Sequence, residues 1–128
     1  MALDVILGIA LGGSLGALAR YFLSLWIQNL FGDGFPIGTL VINVGGAFAL
    51  GFMYVLSLES SLNPVWRNGL TVGFLGAFTT FSTFALETFL LIQEGLFLNA
   101  TLNVIITVIL GLLGTFFGSV LAKFVSGI

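Results

Sequence analysis

The chain of 128 residues has no cysteine and no histidine, only two prolines, and just three basic and five acidic side chains. Without cysteine there is no disulfide and no thiol chemistry, and without either residue the usual transition-metal sites are absent. The missing histidine also removes the commonest general base, so no nucleophile–base pair of the ordinary kind can be assembled and no enzymatic activity is expected. Three dispersed cations form no basic patch, which excludes a nucleic-acid partner. What is there is oil: 59% of the residues are hydrophobic and the mean hydropathy is +1.23. A chain this apolar is an integral membrane protein, and spanning segments of the length found here are α-helices. Nothing is left over for a soluble module, so residues 1–128 read as a single four-helix transmembrane domain.

The four apolar segments cover about residues 3–30, 37–58, 65–93 and 100–125, each at least the roughly 20 residues a bilayer requires. Asp4 and the lack of a leading Lys or Arg argue against a signal peptide, so the first helix is expected to be retained. The breaks between segments carry turn chemistry: Gly32-Asp33-Gly34-Phe35-Pro36, then Glu59-Ser60-Ser61-Leu62-Asn63-Pro64, then Glu94-Gly95. Asn63 before Pro64 is an N-cap followed by proline at the first helical position, and Asn99 is placed to cap the fourth helix. Trp26 and Trp66 lie near segment ends, where indoles anchor at the interface. Glycines recur every four residues at Gly8, Gly12 and Gly16, and small residues crowd the second and fourth helices. Such rows permit close helix approach within one bundle and against a second copy, and a homo-oligomer is expected. Arg67 and Lys123 lie toward the side of the termini and Arg20 nearer the other, a bias too weak to fix orientation, so insertion both ways round is permitted.

The third segment contains Gly76-Ala77-Phe78-Thr79-Thr80-Phe81-Ser82-Thr83-Phe84. A helix built only to span is not filled in this way. Threonine is a poor helix former and its hydroxyl competes for backbone hydrogen bonds, so this stretch reads as a break or distortion of the helix at mid-membrane depth. Irregular backbone there survives only when buried in protein or lining a wet cavity, and broken helices present carbonyls and helix ends to ions. The plain alternative is a helix whose hydroxyls bond back to their own carbonyls.

Other polar residues fall inside the spans. Arg20 either snorkels, pairs with a carboxylate such as Glu87, or raises the potential at the mouth of an anion path. Asn43, beside Gly45 and Gly46, is either an interhelical hydrogen-bonding group or an N–H donor facing an anion. Asn103, Thr107, Gly111, Thr115 and Ser119 recur every four residues, one polar stripe interrupted at Gly111. Phe81 and Phe84 share a face if the helix has resumed, and aromatic edges are the positive part of the ring. The donors on offer are hydroxyls, an amide and an arginine, with no carboxylate ring, and together they suggest a path for a small anion.

With these residues in view, the chain resembles the Fluc/CrcB family of fluoride channels. The likeness rests on Gly12-Gly13-Ser14-Leu15-Gly16-Ala17-Leu18-Ala19-Arg20-Tyr21, on Gly38-Thr39-Leu40-Val41-Ile42-Asn43-Val44-Gly45-Gly46, and on residues 73–84 with Glu87. The resemblance implies an antiparallel, dual-topology homodimer in the bacterial inner membrane with two pores that conduct fluoride passively out of the cytoplasm. It implies Phe81 and Phe84 as the rings whose edges face fluoride, Asn43 as the pore asparagine, and Thr107 and Thr115 as parts of the last helix's polar track, which Gly111 interrupts. It implies Arg20 near an aqueous vestibule, and backbone carbonyls of Gly76 and Thr79 from both subunits around a structural Na⁺. The competing reading is a small proton-coupled multidrug exporter. That reading needs a titratable group at the substrate site, and the interior of the first helix has no Glu.

Overall fold

A computed structural model describes residues 2–59 and 62–127; Met1, Ser60, Ser61 and Ile128 lie outside the described residues, and with them part of the expected break after the second segment. All regular structure among the described residues is helical. Helix α1 spans Ala2–Phe31 and α2 Ile37–Glu59. The third span begins with Pro64–Asn68, widens into a π-helical stretch at Gly69–Leu75, and closes with one turn at Gly76–Phe78. We label residues 64–78 α3. Helix α4 is Phe81–Gln93 and α5 is Phe97–Ser126. Among the described residues four helical spans are long and apolar enough to cross a membrane, the third counted as Pro64–Gln93.

Each end has a local cause. Helix α1 stops where Gly32 adopts a left-handed conformation (φ 78°) and its N–H bonds Gln28 O at 2.7 Å. Asn63 caps α3: its side chain accepts from Val65 N at 2.9 Å, with Pro64 at the first helical position. Helix α4 ends in a Schellman turn about Gly95 (φ 76°), with Leu96 N–H on Leu91 O and Gly95 N–H on Ile92 O. That turn leads straight into α5 at Phe97, three residues before the start expected from the sequence. Asn99 therefore does not cap α5; its Nδ2 donates to Gly34 O at 3.2 Å and ties the first loop to the helix.

The helices pack as two close pairs, α1 with α3 and α2 with α5, and glycine makes both possible. A Cβ on Gly12 would overlap Gly69 O, and one on Gly16 would overlap Phe74 O. The same holds for Gly118 against Phe48 O and for Gly51 against Thr115 O. The glycine row of α1 is thus spent inside the subunit, against the π-helical stretch, and is not free for a second copy. By contrast nothing lies within 4 Å of a Cβ added to Gly45 or Gly111. The buried hydrophobic core is thin, with Ile27, Ile42, Val55, Leu75 and Leu91 its larger members, while most large apolar side chains point outward as a lipid-facing surface would require.

Substituting Gly118 by Val should cost about 1–3 kcal/mol or more through overpacking against α2. Gly13, whose nearest neighbour to an added Cβ is 3.9 Å away, should accept Ala with no loss. Retention of the monodisperse peak after heating in detergent compares the two.

Candidate functional site

Between Phe78 and Phe81 the chain is extended: Thr79 has φ −78° and ψ 154°, Thr80 φ −150° and ψ 113°. Two devices hold it so. Asn43, on α2, accepts from Thr80 N–H at 2.8 Å through Oδ1 and donates from Nδ2 to Thr80 O at 3.1 Å. Thr80 Oγ1 then caps α4 by accepting from Thr83 N–H at 3.2 Å. The bonds that accept Thr80 N–H and Thr83 N–H divert these two donors from the helix. In an unbroken helix Thr80 N–H would bond Gly76 O and Thr83 N–H would bond Thr79 O. The carbonyls of Gly76 and Thr79 are thereby released from their regular partners, while Thr79 N–H and its hydroxyl both remain on Leu75 O. Gly46, one turn beyond Asn43, leaves room for the Thr79 methyl, which a Cβ there would overlap.

Beside this segment a recess of about 280 Å³ opens between α1, α2 and the start of α4. Arg20, Ser24, Thr39, Thr80 and Thr83 line it. Among the described residues Arg20 forms no ion pair, and the expected alternative of a pair with Glu87 is not found. Glu87 Oε1 instead accepts from the buried Thr39 hydroxyl at 2.8 Å, and its Oε2 is buried with no hydrogen-bond partner among the described residues. A second cavity of about 170 Å³ shares Ser24 and Thr39 with the first and is acidic, with Asp33, Glu87 and Glu94 in its wall. The molecule therefore sets a cationic, hydroxyl-lined recess against an acidic one, with Thr39 between them.

Phe81 and Phe84 sit together on α4, ring centroids 5.8 Å apart and planes tilted by 50°. Phe81 is 79% exposed in the single subunit, whereas Phe84 is half-buried. The α5 stripe divides in two. Asn103 is fully buried; its Nδ2 donates to Thr88 Oγ1 at 2.9 Å, and Thr107 reaches Asn103 Oδ1 at 3.5 Å. Thr88 in turn donates to Phe84 O at 2.8 Å, so the upper half of the stripe is wired to the turn that carries Phe84. The lower half bonds helix backbone: Thr115 to Gly111 O, and Ser119 to Thr115 O and Gly51 O.

Thr39 and Thr88 are given no role by the sequence, and Thr80 is read only as part of the distorted stretch. For two of them a signal exists: Thr39 lies four residues before Asn43, and Thr88 four after Phe84, which places each on its neighbour's helix face.

Residues 7–119 match the family model described as CrcB-like protein, Camphor Resistance (CrcB). The chain belongs to the CrcB family. It is 45% identical over 123 residues to a protein of a Nitratiruptor species, covering 96% of this chain and 95% of that one. It is 48% identical over 122 residues to one of Geotalea uraniireducens, at 94% and 98% coverage. For Geobacter metallireducens the figures are 49% over 119 residues, with 92% and 96% covered. Each of these relatives is named fluoride-specific ion channel FluC. In this CrcB chain all three stretches that carried the resemblance lie within the matched range.

Because Asn103 is buried and hydrogen-bonded on both sides, removing the Thr88 hydroxyl should hurt. Thr88→Val should cost about 1–3 kcal/mol by stranding the Asn103 amide, while Thr88→Ser keeps the bond and most of the stability. Thermal denaturation of the purified variants in detergent separates the two.

Proposed function

We propose that this protein is a fluoride-selective channel, not an enzyme, that lets fluoride leave the cytoplasm passively. The observation that carries the reading is the Arg20 recess lined by Thr80, the second of the two extended residues, with the Phe81–Phe84 pair following directly in the chain. The names of the relatives point the same way. A small hard anion is expected to collect at the cationic recess, to exchange water for the hydroxyls of Ser24, Thr80 and Thr83, and then to pass the positive ring edges of Phe81 and Phe84. Asn43 on α2, and Thr107, Gly111 and Thr115 on α5, are expected to border this route. One ring edge is a weak ligand; several edges with hydroxyl and amide donors replace more of the lost hydration. Hydrogen fluoride crosses membranes as a neutral weak acid and ionises in a more alkaline cytoplasm, so a passive leak lets the trapped anion run out.

The proposal includes an antiparallel, dual-topology homodimer in the bacterial inner membrane, with two pores and with the interruption of the third span at mid-membrane depth. Gly76 is exposed and Gly45 has open space beside it, so the subunit presents small residues at its surface close to the released carbonyls. Bare carbonyls facing lipid tails cost several kcal/mol each, and a second copy laid over this face removes that cost. The residues present fit a structural sodium ion. Gly76 and Thr79 would hold it by their carbonyls, doubled by the partner subunit, and a neutral oxygen set suits a hard cation. When bound, such an ion supplies positive charge near the anion path. The exporter alternative finds less support: the cavities of about 170 and 280 Å³ are small for a drug-sized substrate, and the half-buried acid Glu87 is bonded to Thr39.

Liposomes loaded with potassium fluoride or potassium chloride test the reading. With a potassium ionophore present, fluoride should escape rapidly and chloride hardly at all; equal rates defeat the selectivity claim. Phe81→Ile should slow fluoride about tenfold or more, a barrier change of about 1.4 kcal/mol or above, without dispersing the dimer.

A further inference from the structure

The two hydrogen bonds of Asn43 have a consequence for the backbone on the far side of Thr80. An amide side chain offers an acceptor and a donor with the spacing of a peptide group, so Asn43 grips Thr80 as a neighbouring strand would, N–H and C=O together. Thr80 is only 7% exposed, so water cannot take over these bonds cheaply. If the grip is removed, Thr80 N–H is left buried and unpaired. Its nearest relief is the carbonyl it would bond in a regular helix, Gly76 O. The two acceptors, Asn43 Oδ1 and Gly76 O, therefore compete for one N–H.

We infer that Asn43 is a positioning residue for the cation site: by holding Thr80 N–H it keeps the Gly76 carbonyl open for a cation. This inference rests on the reading of Gly76 and Thr79 as a cation cradle and adds to it a residue that contributes no ligand. The residue comes from α2, whereas the carbonyls come from the third span. It assigns Asn43 two tasks, one toward the anion path and one toward the cation, so the same side chain links the two sites. Gly46 assists from the next turn of α2, since a larger residue there would displace Thr79. Thr80 Oγ1 does for Thr79 O what Asn43 does for Gly76 O, by holding Thr83 N–H. The two releases differ in source: the second is local to the third span, while the first depends on the packing of α2.

The test reads cation binding directly, not flux. Purified protein in detergent is melted across a series of NaCl concentrations, with N-methyl-D-glucamine chloride holding ionic strength constant. For the wild type, the melting temperature should rise with Na⁺ and saturate. Asn43→Leu, nearly the same size, removes both bonds, and the Na⁺ concentration for half the shift should rise at least about tenfold. Asn43→Ser is a second, less bulky variant whose hydroxyl is too short to replace the amide, and it should show the same loss. Asn43→Asp keeps an acceptor for Thr80 N–H and should stay within about threefold of the wild type, although it loses the bond to Thr80 O. An unchanged Na⁺ response in both the Leu and Ser variants, with the wild type responding, overturns this inference alone. A wild type that shows no Na⁺-specific shift overturns the cradle reading beneath it.

Discussion

Inside hydrocarbon a peptide group has no water to fall back on, so every N–H and C=O needs a partner from the protein or from something it binds. Here Thr80 N–H leaves its helical partner, Gly76 O, and one side chain, Asn43, makes that possible by pairing with both backbone groups of Thr80. The rest of the site follows from this pairing. Helix α4 can start afresh at Phe81 under the Thr80 cap, which sets the direction in which Phe81 and Phe84 project. The carbonyls of Gly76 and Thr79 are left without the donors a regular helix would give them. The position of α2 is therefore as much a part of the site as the third span itself.

The glycine packing explains why α2 can be there. Helices α2 and α5 touch backbone to backbone through Gly51 and Gly118, and α1 does the same with α3 through Gly12 and Gly16. These close pairs leave room at the centre for polar side chains that reach between helices: Asn43 to Thr80, Thr39 to Glu87, Asn103 to Thr88. Most of the apolar surface is on the outside, where lipid belongs, so the apolar core is thin and specificity of packing rests on these hydrogen bonds. The π-helical stretch lies against α1 at its closest approach, and Thr71 Oγ1 takes up Arg67 O at its entrance, so the wider turn carries few idle groups.

Much of the architecture could be read from the residues. The four spans lie within three residues of their expected limits because turn chemistry marks them, as at Gly32, Gly95 and the Asn63–Pro64 cap. Thr79 and Thr80, singled out as poor helix formers, are the two extended residues. Other features were hidden for physical reasons. The π-helical stretch, in close contact with α1, has the composition of any apolar helix, so nothing in its residues marks it. Asn99 looked like a cap because it follows the Glu94–Gly95 break, but the Schellman turn already launches α5 and frees that side chain for Gly34. Of the alternatives open for Arg20, a pair with Glu87 is the one the fold sets aside, because a hydroxyl from α2 meets that carboxylate instead.

The most direct measurement is of the backbone of two residues in a real bilayer. Protein labelled with ¹³C and ¹⁵N at threonine and reconstituted in lipid would give solid-state NMR shifts for Thr79 and Thr80. Extended values at both, with a through-space contact between the Asn43 side-chain amide and Thr80, are expected. Helical shifts at both residues would contradict the interruption, and with it the site built around it.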